Sequence, residues 1–150
     1  MGRRRQGREF ALQALYLSES GGMSVQEALL IVRDGSTLDE ATADFAFELA
    51  VGAADKREEL DVKIRDAAKN WALERMAAVD RNLLRLASYE LLRDDGTPPN
   101  VVIDEALEIA KVYATAESTR FINGILDKIR SGSGSGSAKK TKKKKAKNTE

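Results

Sequence analysis

The stretch AVDRNLLRLASYELLRDDG, residues 78–96, decides the fold class because its apolar side chains recur at helical spacing. One apolar face results, and it consists of Leu83, Leu84, Ala87 and Leu91. The Asp94-Asp95-Gly96 segment that follows has the composition of a turn and should end the helix. The stretch therefore predicts an amphipathic helix that places this face in a core.

The same spacing continues on both sides, and β-branched residues never alternate over the length of a strand. It predicts about seven helices, near residues 3–19, 25–33, 38–54, 57–69, 78–93, 101–113 and 116–129. The apolar face that runs from Phe45 to Ala68, across the third and fourth of these helices, should be bent or broken near Gly52. We expect an all-α domain of two packed helical sub-bundles that divide near Trp71.

Three helix starts carry capping signals. Ser24 with Glu27, and Thr37 with Glu40, both fit the capping box, in which two side chains satisfy free backbone amides. Asn100 follows the Pro98-Pro99 pair and is expected to cap the sixth helix.

The composition narrows the possible functions. The chain has no cysteine and no histidine, so the commonest general base and the usual zinc ligands are absent. The acidic residues that remain match no catalytic or metal-binding spacing, and we expect neither an enzyme, a metal site nor a cofactor. No apolar run approaches the roughly 20 residues that a membrane span needs, and the arginine-rich start lacks the features of a targeting peptide. A cytoplasmic protein is the simplest interpretation.

The two ends of the chain are basic and the middle is acidic. Residues 131–150 hold seven lysines and one glutamate, whereas the remainder has 18 basic and 23 acidic residues. This segment, SGSGSGSAKKTKKKKAKNTE, predicts a disordered Ser/Gly linker with a lysine-rich tail after a helical domain at residues 1–130. The acidic part of the chain repels nucleic acid, so any RNA contact must be confined to small basic regions of its surface.

The opening RRRQGREFALQALY, residues 3–16, allows two interpretations. Arg5, Leu12 and Tyr16 share one helical stripe, and a guanidinium beside an aromatic ring suits single-stranded RNA. A solvated helix start is the simpler interpretation on spacing alone. Gly7 weakens the helix, and the arm is expected to order on binding.

The segment STRFINGILDKI, residues 118–129, keeps a helical face across Asn123-Gly124. A glycine inside a helix costs about 1 kcal/mol against alanine, and close approach of a neighbouring helix is the expected reason for Gly124. On spacing and composition, Phe121 and Trp71 are both interpreted as core residues.

Four segments together resemble the NusB family of bacterial transcription antitermination factors. They are RRRQGREFALQALY, ERMAAVDRNLLRLASYELL, PPNVVIDEALEIAKVYA and ESTRFINGILDKI, in that order along the chain. The resemblance spans most of residues 3–130 and is weakest at 18–70, while the lysine-rich tail lies outside it. It implies an all-α, NusB-like fold of two helical sub-bundles.

The resemblance also implies a function. Family members recognise boxA-type single-stranded RNA together with the small-subunit ribosomal protein NusE. They join the transcription elongation complex and support ribosomal RNA transcription. The resemblance leaves open whether the chain is a monomer or a homodimer. It also includes helical domains fused to RNA methyltransferases, but this chain has no room for a methyl-donor domain.

Site residues follow from the resemblance. It implies RNA-binding roles for Arg4, Arg5, Arg8 and Tyr16 in the N-terminal motif, and for Glu117, Arg120 and Phe121 in the C-terminal motif. It places Asp80 and Tyr89 near the surface that meets NusE. Gln6-Gly7 interrupts the arginine cluster. The alternative function is a protein–protein adaptor that does not itself recognise RNA.

Overall fold

Seven α-helices and one short 3-10 turn form the fold in the computed structural model, which describes residues 2–134. The elements are α1 (Arg3–Gly21), α2 (Val25–Asp34), α3 (Glu40–Asp55), α4 (Arg57–Ala67), the 3-10 turn Leu73–Arg75, α5 (Ala78–Arg93), α6 (Pro99–Tyr113) and α7 (Ala116–Gly134). No strand occurs among these residues, and the all-α prediction is confirmed. None of the helices is both long and apolar enough to cross a membrane.

The helix starts confirm one capping prediction and correct two. At α2, Ser24 and Glu27 form the complete capping box, with the Glu27 amide donating to Ser24 Oγ over 3.1 Å. At α3 the cap is Asp39 rather than Thr37, because Asp39 Oδ1 accepts from the Thr42 amide at 2.8 Å. At α6 the helix already begins at Pro99, whose fixed φ and missing N–H suit the first helical position.

Helix α5 lies at the centre of the domain and packs against α1, α3, α4, α6 and α7. The predicted apolar residues Leu83, Leu84 and Ala87 are buried in the core. Burial goes beyond that face, since every residue from 82 to 88 is buried. The polar side chains on the opposite face are therefore enclosed as well, and they need partners from other helices.

The division between the two sub-bundles lies at Lys56, not near Trp71 as predicted. Helices α1, α2 and α3 pack on one another, while α4 packs mainly on α5 and α7. The apolar residues of α4, Leu60 and Ile64, are accordingly buried with the C-terminal helices. Because α1 also contacts α5 and α6, the sub-bundles share one continuous core.

Two glycines permit close helix contacts. A Cβ atom at Gly7 would lie 2.8 Å from the Phe45 ring, so α3 packs directly on the backbone of α1. Residues 3–8 are thus already helical and packed, which corrects the expectation that the arm orders on binding. A Cβ atom at Gly52 would lie 2.1 Å from the Tyr89 ring, and α3 continues past this glycine to Asp55.

Replacing Gly52 with alanine is expected to lower the free energy of unfolding by about 1 kcal/mol. Displacing the Tyr89 ring costs about 1–3 kcal/mol, partly offset by the roughly 1 kcal/mol that alanine contributes to a helix. Gly124→Ala is the matched control, because a Cβ atom there meets nothing within 4 Å and should only stabilise. Urea unfolding monitored by circular dichroism measures both, and equal stabilisation by the two changes would contradict the Tyr89 contact.

Three predictions about the C-terminal half change. Gly124 is exposed with open space around it, so close helix approach is not its reason. Trp71 is 62% exposed rather than part of the core, because it lies in the connection between α4 and the 3-10 turn. Helix α7 continues to Gly134, beyond its predicted end at residue 129, while the domain boundary at 130 stays a prediction. The remainder of the predicted lysine-rich tail, residues 135–150, lies outside the described residues.

A polar network joins the end of α1 to α4 and α5. Glu19 accepts from Arg81 Nη2 at 2.7 Å, from Arg85 Nη1 at 3.1 Å and from Asn82 Nδ2 at 3.1 Å. Arg85 also donates from Nε to Asp61 Oδ1 at 2.7 Å. These contacts supply partners for Arg81, Asn82 and Arg85 of α5 and lower the pKa of Glu19 to about 2, mainly through the Arg81 hydrogen bond.

The domain is expected to lose stability as the pH falls from about 4.5 towards 2. The pKa of Glu19 is lower in the folded chain than its ordinary 4.5, so its stabilising contribution is complete above pH 4.5 and is lost on protonation. Thermal melts of the native chain and of Glu19→Gln across this range measure the effect. The melting temperature of the variant should decline less steeply as the pH falls. Parallel curves for the two proteins would contradict the stabilising role of Glu19.

Candidate nucleic-acid interface

The first two arginines of α1 are exposed but not isolated. Arg3 Nη1 lies 3.2 Å from Asp39 Oδ2, and Arg4 Nη2 lies 3.5 Å from Asp95 Oδ2. The guanidinium carbon of Arg4 also stands 4.1 Å above the centre of the Phe45 ring. Surface ion pairs of this kind are weak and readily exchanged, so both arginines are accessible to a phosphate.

Arg5 forms a tighter pair with α6. Its Nε and Nη2 atoms donate to the two carboxylate oxygens of Glu105, each over 2.8 Å. The side chains are 26% and 22% exposed, so solvent still reaches the pair. The Arg5 guanidinium holds the pKa of Glu105 below its usual range, which keeps this carboxylate charged.

Arg8 is a structural residue in this fold. Its Nε and Nη2 atoms donate to Glu90 on α5 over 2.8 and 2.6 Å, and the two side chains are only 6% and 1% exposed. A buried bidentate pair of this kind fixes α1 against α5. It leaves Arg8 with no accessible pair of parallel N–H donors for a phosphate. The role of Arg8 in RNA binding stays a prediction that the burial of its side chain does not favour.

Tyr16 lies on the outer surface of α1. Leu12, one turn before it, is buried in the core, so the predicted stripe is not a continuous exposed face. Tyr16 stands eleven residues from Arg5, which corresponds to about 16 Å along a helix. Its ring is 44% exposed and available for stacking.

A second surface is built around two aromatic rings at the start of α7. Phe121 and Trp71 meet edge to face with ring centres 5.2 Å apart and an angle of 66° between their planes. Phe121 packs on the core and is half-buried, whereas Trp71 projects outward. Beside them is a cleft of about 220 Å³ that Lys69, Arg120 and Gly124 help to line.

A larger cleft of about 660 Å³ lies along the same segment and also uses Trp71. We call the surface formed by Lys69, Trp71, Arg75, Arg120 and Phe121 the aromatic–basic surface. Within residues 2–134, its three cations form no ion pair with an acidic side chain. In contrast, each N-terminal arginine has a carboxylate partner, so the less neutralised positive charge lies here.

Sequence reasoning missed three members of this surface, Lys69, Trp71 and Arg75. No local signal indicated that Trp71 is exposed, because in KNWALER, residues 69–75, it continues the helical spacing of the apolar residues Ile64, Ala67 and Ala68. A core tryptophan is normally flanked by apolar residues at helical or strand spacing. The spacing therefore favoured a core residue, and the exposure of Trp71 follows from its position after the end of α4.

The remaining predicted RNA-binding residue, Glu117, is exposed in the first turn of α7. An acidic side chain at this position is stabilised by the partial positive charge of the helix start. It lies one turn before Arg120 and Phe121, so these three predicted residues are brought together at one helix end. Its RNA role stays a prediction.

The two predicted partner-binding residues make contacts inside the domain. Asp80 is buried and its Oδ2 accepts from Ser118 Oγ at 2.9 Å, which connects the starts of α5 and α7. Tyr89 is half-buried and its ring covers Gly52. Their roles as NusE contacts stay predictions.

The arginine segment and the aromatic–basic surface lie towards opposite ends of α5. Arg8 meets this helix at Glu90, whereas the start of α7 meets it at Asp80. Ten residues of helix correspond to about 15 Å. A single ligand that contacts both surfaces must therefore be extended over at least this length.

Comparisons with known proteins agree with this architecture. The model of the NusB family matches residues 5–131. The transcription antitermination protein NusB of Heliobacterium modesticaldum is 49% identical over 126 residues, which are 84% of this chain and 61% of that relative's length. This chain therefore spans less than two thirds of that relative.

Solved structures give the same result. A NusB structure from T. maritima has a TM-score of 0.80 at 38% identity, over 86% of this chain and 91% of that one. A complex of the antitermination factors NusB and NusE with double-stranded RNA matches at a TM-score of 0.77 and 28% identity, covering 87% and 98% of the two chains. Together with the helical order and the match over residues 5–131, these likenesses show that the chain belongs to the NusB family.

Proposed function

We propose that this chain is a non-enzymatic, RNA-binding transcription antitermination factor that acts together with NusE. Its RNA is of the boxA type, and its setting is the cytoplasmic elongation complex that transcribes ribosomal RNA. Family membership supports the general role, and the similar NusB–NusE complex with RNA supports both partners.

The observation that carries the RNA-binding proposal is the aromatic–basic surface. Exposed aromatic rings stack on unpaired bases, and nearby cations attract the phosphates that connect them. Trp71 supplies a ring with an exposed face, while Lys69, Arg75 and Arg120 supply charge that forms no ion pair with an acidic side chain in the described part of the chain. Exposed Arg3 and Arg4 extend the binding surface at the other end of α5.

The excess of acidic residues outside the tail means that tight RNA binding requires a partner protein. Apart from the tail, the chain has 23 acidic and 18 basic residues, so RNA meets attraction only at the two basic surfaces. RNA binding by the chain alone should therefore be weak and sensitive to salt. Binding of NusE adds contacts and should raise RNA affinity by a coupling of about 1–3 kcal/mol.

Fluorescence titrations of labelled RNA test this proposal. The full chain is titrated with single-stranded boxA RNA, a scrambled RNA of the same composition and a double-stranded form, each with and without NusE. We expect the tightest binding for boxA RNA with NusE present, and a loss of affinity as salt increases. NusE binding without any RNA binding would instead establish the protein–protein adaptor, and equal RNA affinity with and without NusE would exclude coupling.

A further inference from the structure

We propose that Glu105 occupies the two N–H donors of Arg5 that would otherwise bind an RNA phosphate. This internal pair lowers the affinity of the chain for RNA. The inference rests on the proposed function, because it concerns how an RNA phosphate gains access to the N-terminal arginines. Glu105 acts as an internal competitor: its carboxylate must leave Arg5 before a phosphate can take the same two donors.

The geometry of the pair matches that of a phosphate contact. Arginine binds carboxylates and phosphates alike through two parallel N–H donors. Arg5 directs Nε and Nη2 to the two oxygens of Glu105, each at 2.8 Å, so both donors of that fork are already used. A phosphate that approaches Arg5 side-on therefore meets an occupied site.

The pair is placed where exchange can occur. A cleft of about 690 Å³ opens beside it, with Arg4, Pro98 and Val101 among its lining residues. Arg5 and Glu105 keep about a quarter of their side-chain surface exposed, in contrast to the nearly enclosed pair of Arg8 and Glu90. The outer pair can therefore open towards solvent while the inner pair holds α1 in place.

The inner pair also prevents Arg8 from substituting for Arg5. Arg8 Nη1 lies 3.9 Å from Glu105 Oε1, but its Nε and Nη2 atoms are directed to Glu90. When Glu105 leaves Arg5, it moves away from both cations. The cost of this separation is subtracted from the RNA-binding free energy, and it is the same for every RNA that uses Arg5.

Replacing Glu105 with glutamine tests the competition, because glutamine keeps the shape and removes the charge that holds Arg5. RNA affinity should rise on the order of fivefold, which corresponds to the upper range of about 1 kcal/mol for partly exposed ion pairs. The probes are boxA RNA and scrambled RNA, and the gain should be similar for both. Circular dichroism melts check the fold, and Glu105→Ala is the second variant if the glutamine form is unstable.

Two controls separate occupation of the fork from a general change of charge. Glu108→Gln removes one negative charge from the same helix, where Glu108 pairs with Lys111 instead, and should give a smaller gain. In an Arg5→Ala background, Glu105→Gln should give no gain. The proposal is overturned by an unchanged or weaker affinity of Glu105→Gln, by an equal gain from Glu108→Gln, or by a gain that persists without Arg5.

These outcomes are distinct from failure of the proposed function. If the native chain binds neither RNA, with or without NusE, and Glu105→Gln does not bind either, both proposals are wrong. If the native chain binds RNA and Glu105→Gln binds it equally well, only the role of Glu105 is overturned.

Discussion

Replacing Arg8 with alanine is expected to lower the free energy of unfolding by about 3–5 kcal/mol. The change leaves the Glu90 carboxylate buried without its bidentate partner, and an uncompensated buried charge is strongly destabilising. The effect should appear as a large decrease in the urea midpoint with an unchanged slope. The family resemblance implies an RNA contact for Arg8, which stays a prediction, while the buried pair with Glu90 gives the residue a structural role.

A double variant separates loss of the ion pair from loss of packing. Arg8→Met with Glu90→Leu removes both charges and keeps apolar volume in the core, so it should recover most of the lost stability. Arg4→Ala is the matched surface control, since Arg4 is exposed and its contacts, a long 3.5 Å pair with Asp95 and a stacked Phe45 ring, lie at the surface. If Arg8→Ala were no more destabilising than Arg4→Ala, the pair with Glu90 would not stabilise the fold.

Replacing Trp71 with alanine is expected to weaken RNA binding about 5- to 150-fold, because base stacking on an aromatic ring contributes about 1–3 kcal/mol. The fold should be little affected, since the ring is largely exposed and touches Phe121 only at an edge. Trp71→Phe should retain part of the affinity, because a smaller ring still stacks. Titration with boxA RNA in the presence of NusE measures the loss.

Leu30→Ala is the control for the tryptophan. Leu30 is an apolar side chain of similar exposure on α2, outside the residues that form the aromatic–basic surface, and its removal should leave RNA affinity unchanged. Losing Trp71 should not change how steeply RNA affinity falls with salt, because that slope follows the number of RNA phosphates that the protein neutralises. An unaltered RNA affinity of Trp71→Ala would show that RNA does not stack on this ring.

The sequence by itself determined the helices. Apolar spacing, the Ser24 cap, the Pro98-Pro99 pair and the Asp94–Gly96 turn are local signals, and each acts within a few residues of the chain. All seven predicted helices are present, with ends that differ by a few residues. The resemblance of four segments to the NusB family also came from sequence alone, and the family is confirmed.

Only the tertiary structure decided which charged residues are accessible. Arg4, Arg5 and Arg8 are nearly indistinguishable in the sequence, yet their acidic partners come from the Asp95 turn, from α6 and from α5. Those partners are 82 to 100 residues away along the chain. Local spacing carries no information about such distant pairs.

The same reason explains the errors about Trp71 and the division of the domain, and why the contact at Gly52 was not predicted. An aromatic residue is buried or exposed according to which helices cover it, and in the segment after α4 Trp71 is 62% exposed although Leu73, two residues later, is buried. Gly52 is needed because a ring from α5 lies against it, 37 positions further along the chain. Helical periodicity defines the apolar face of each element, but the packing of distant elements determines which polar and aromatic groups remain free to bind RNA.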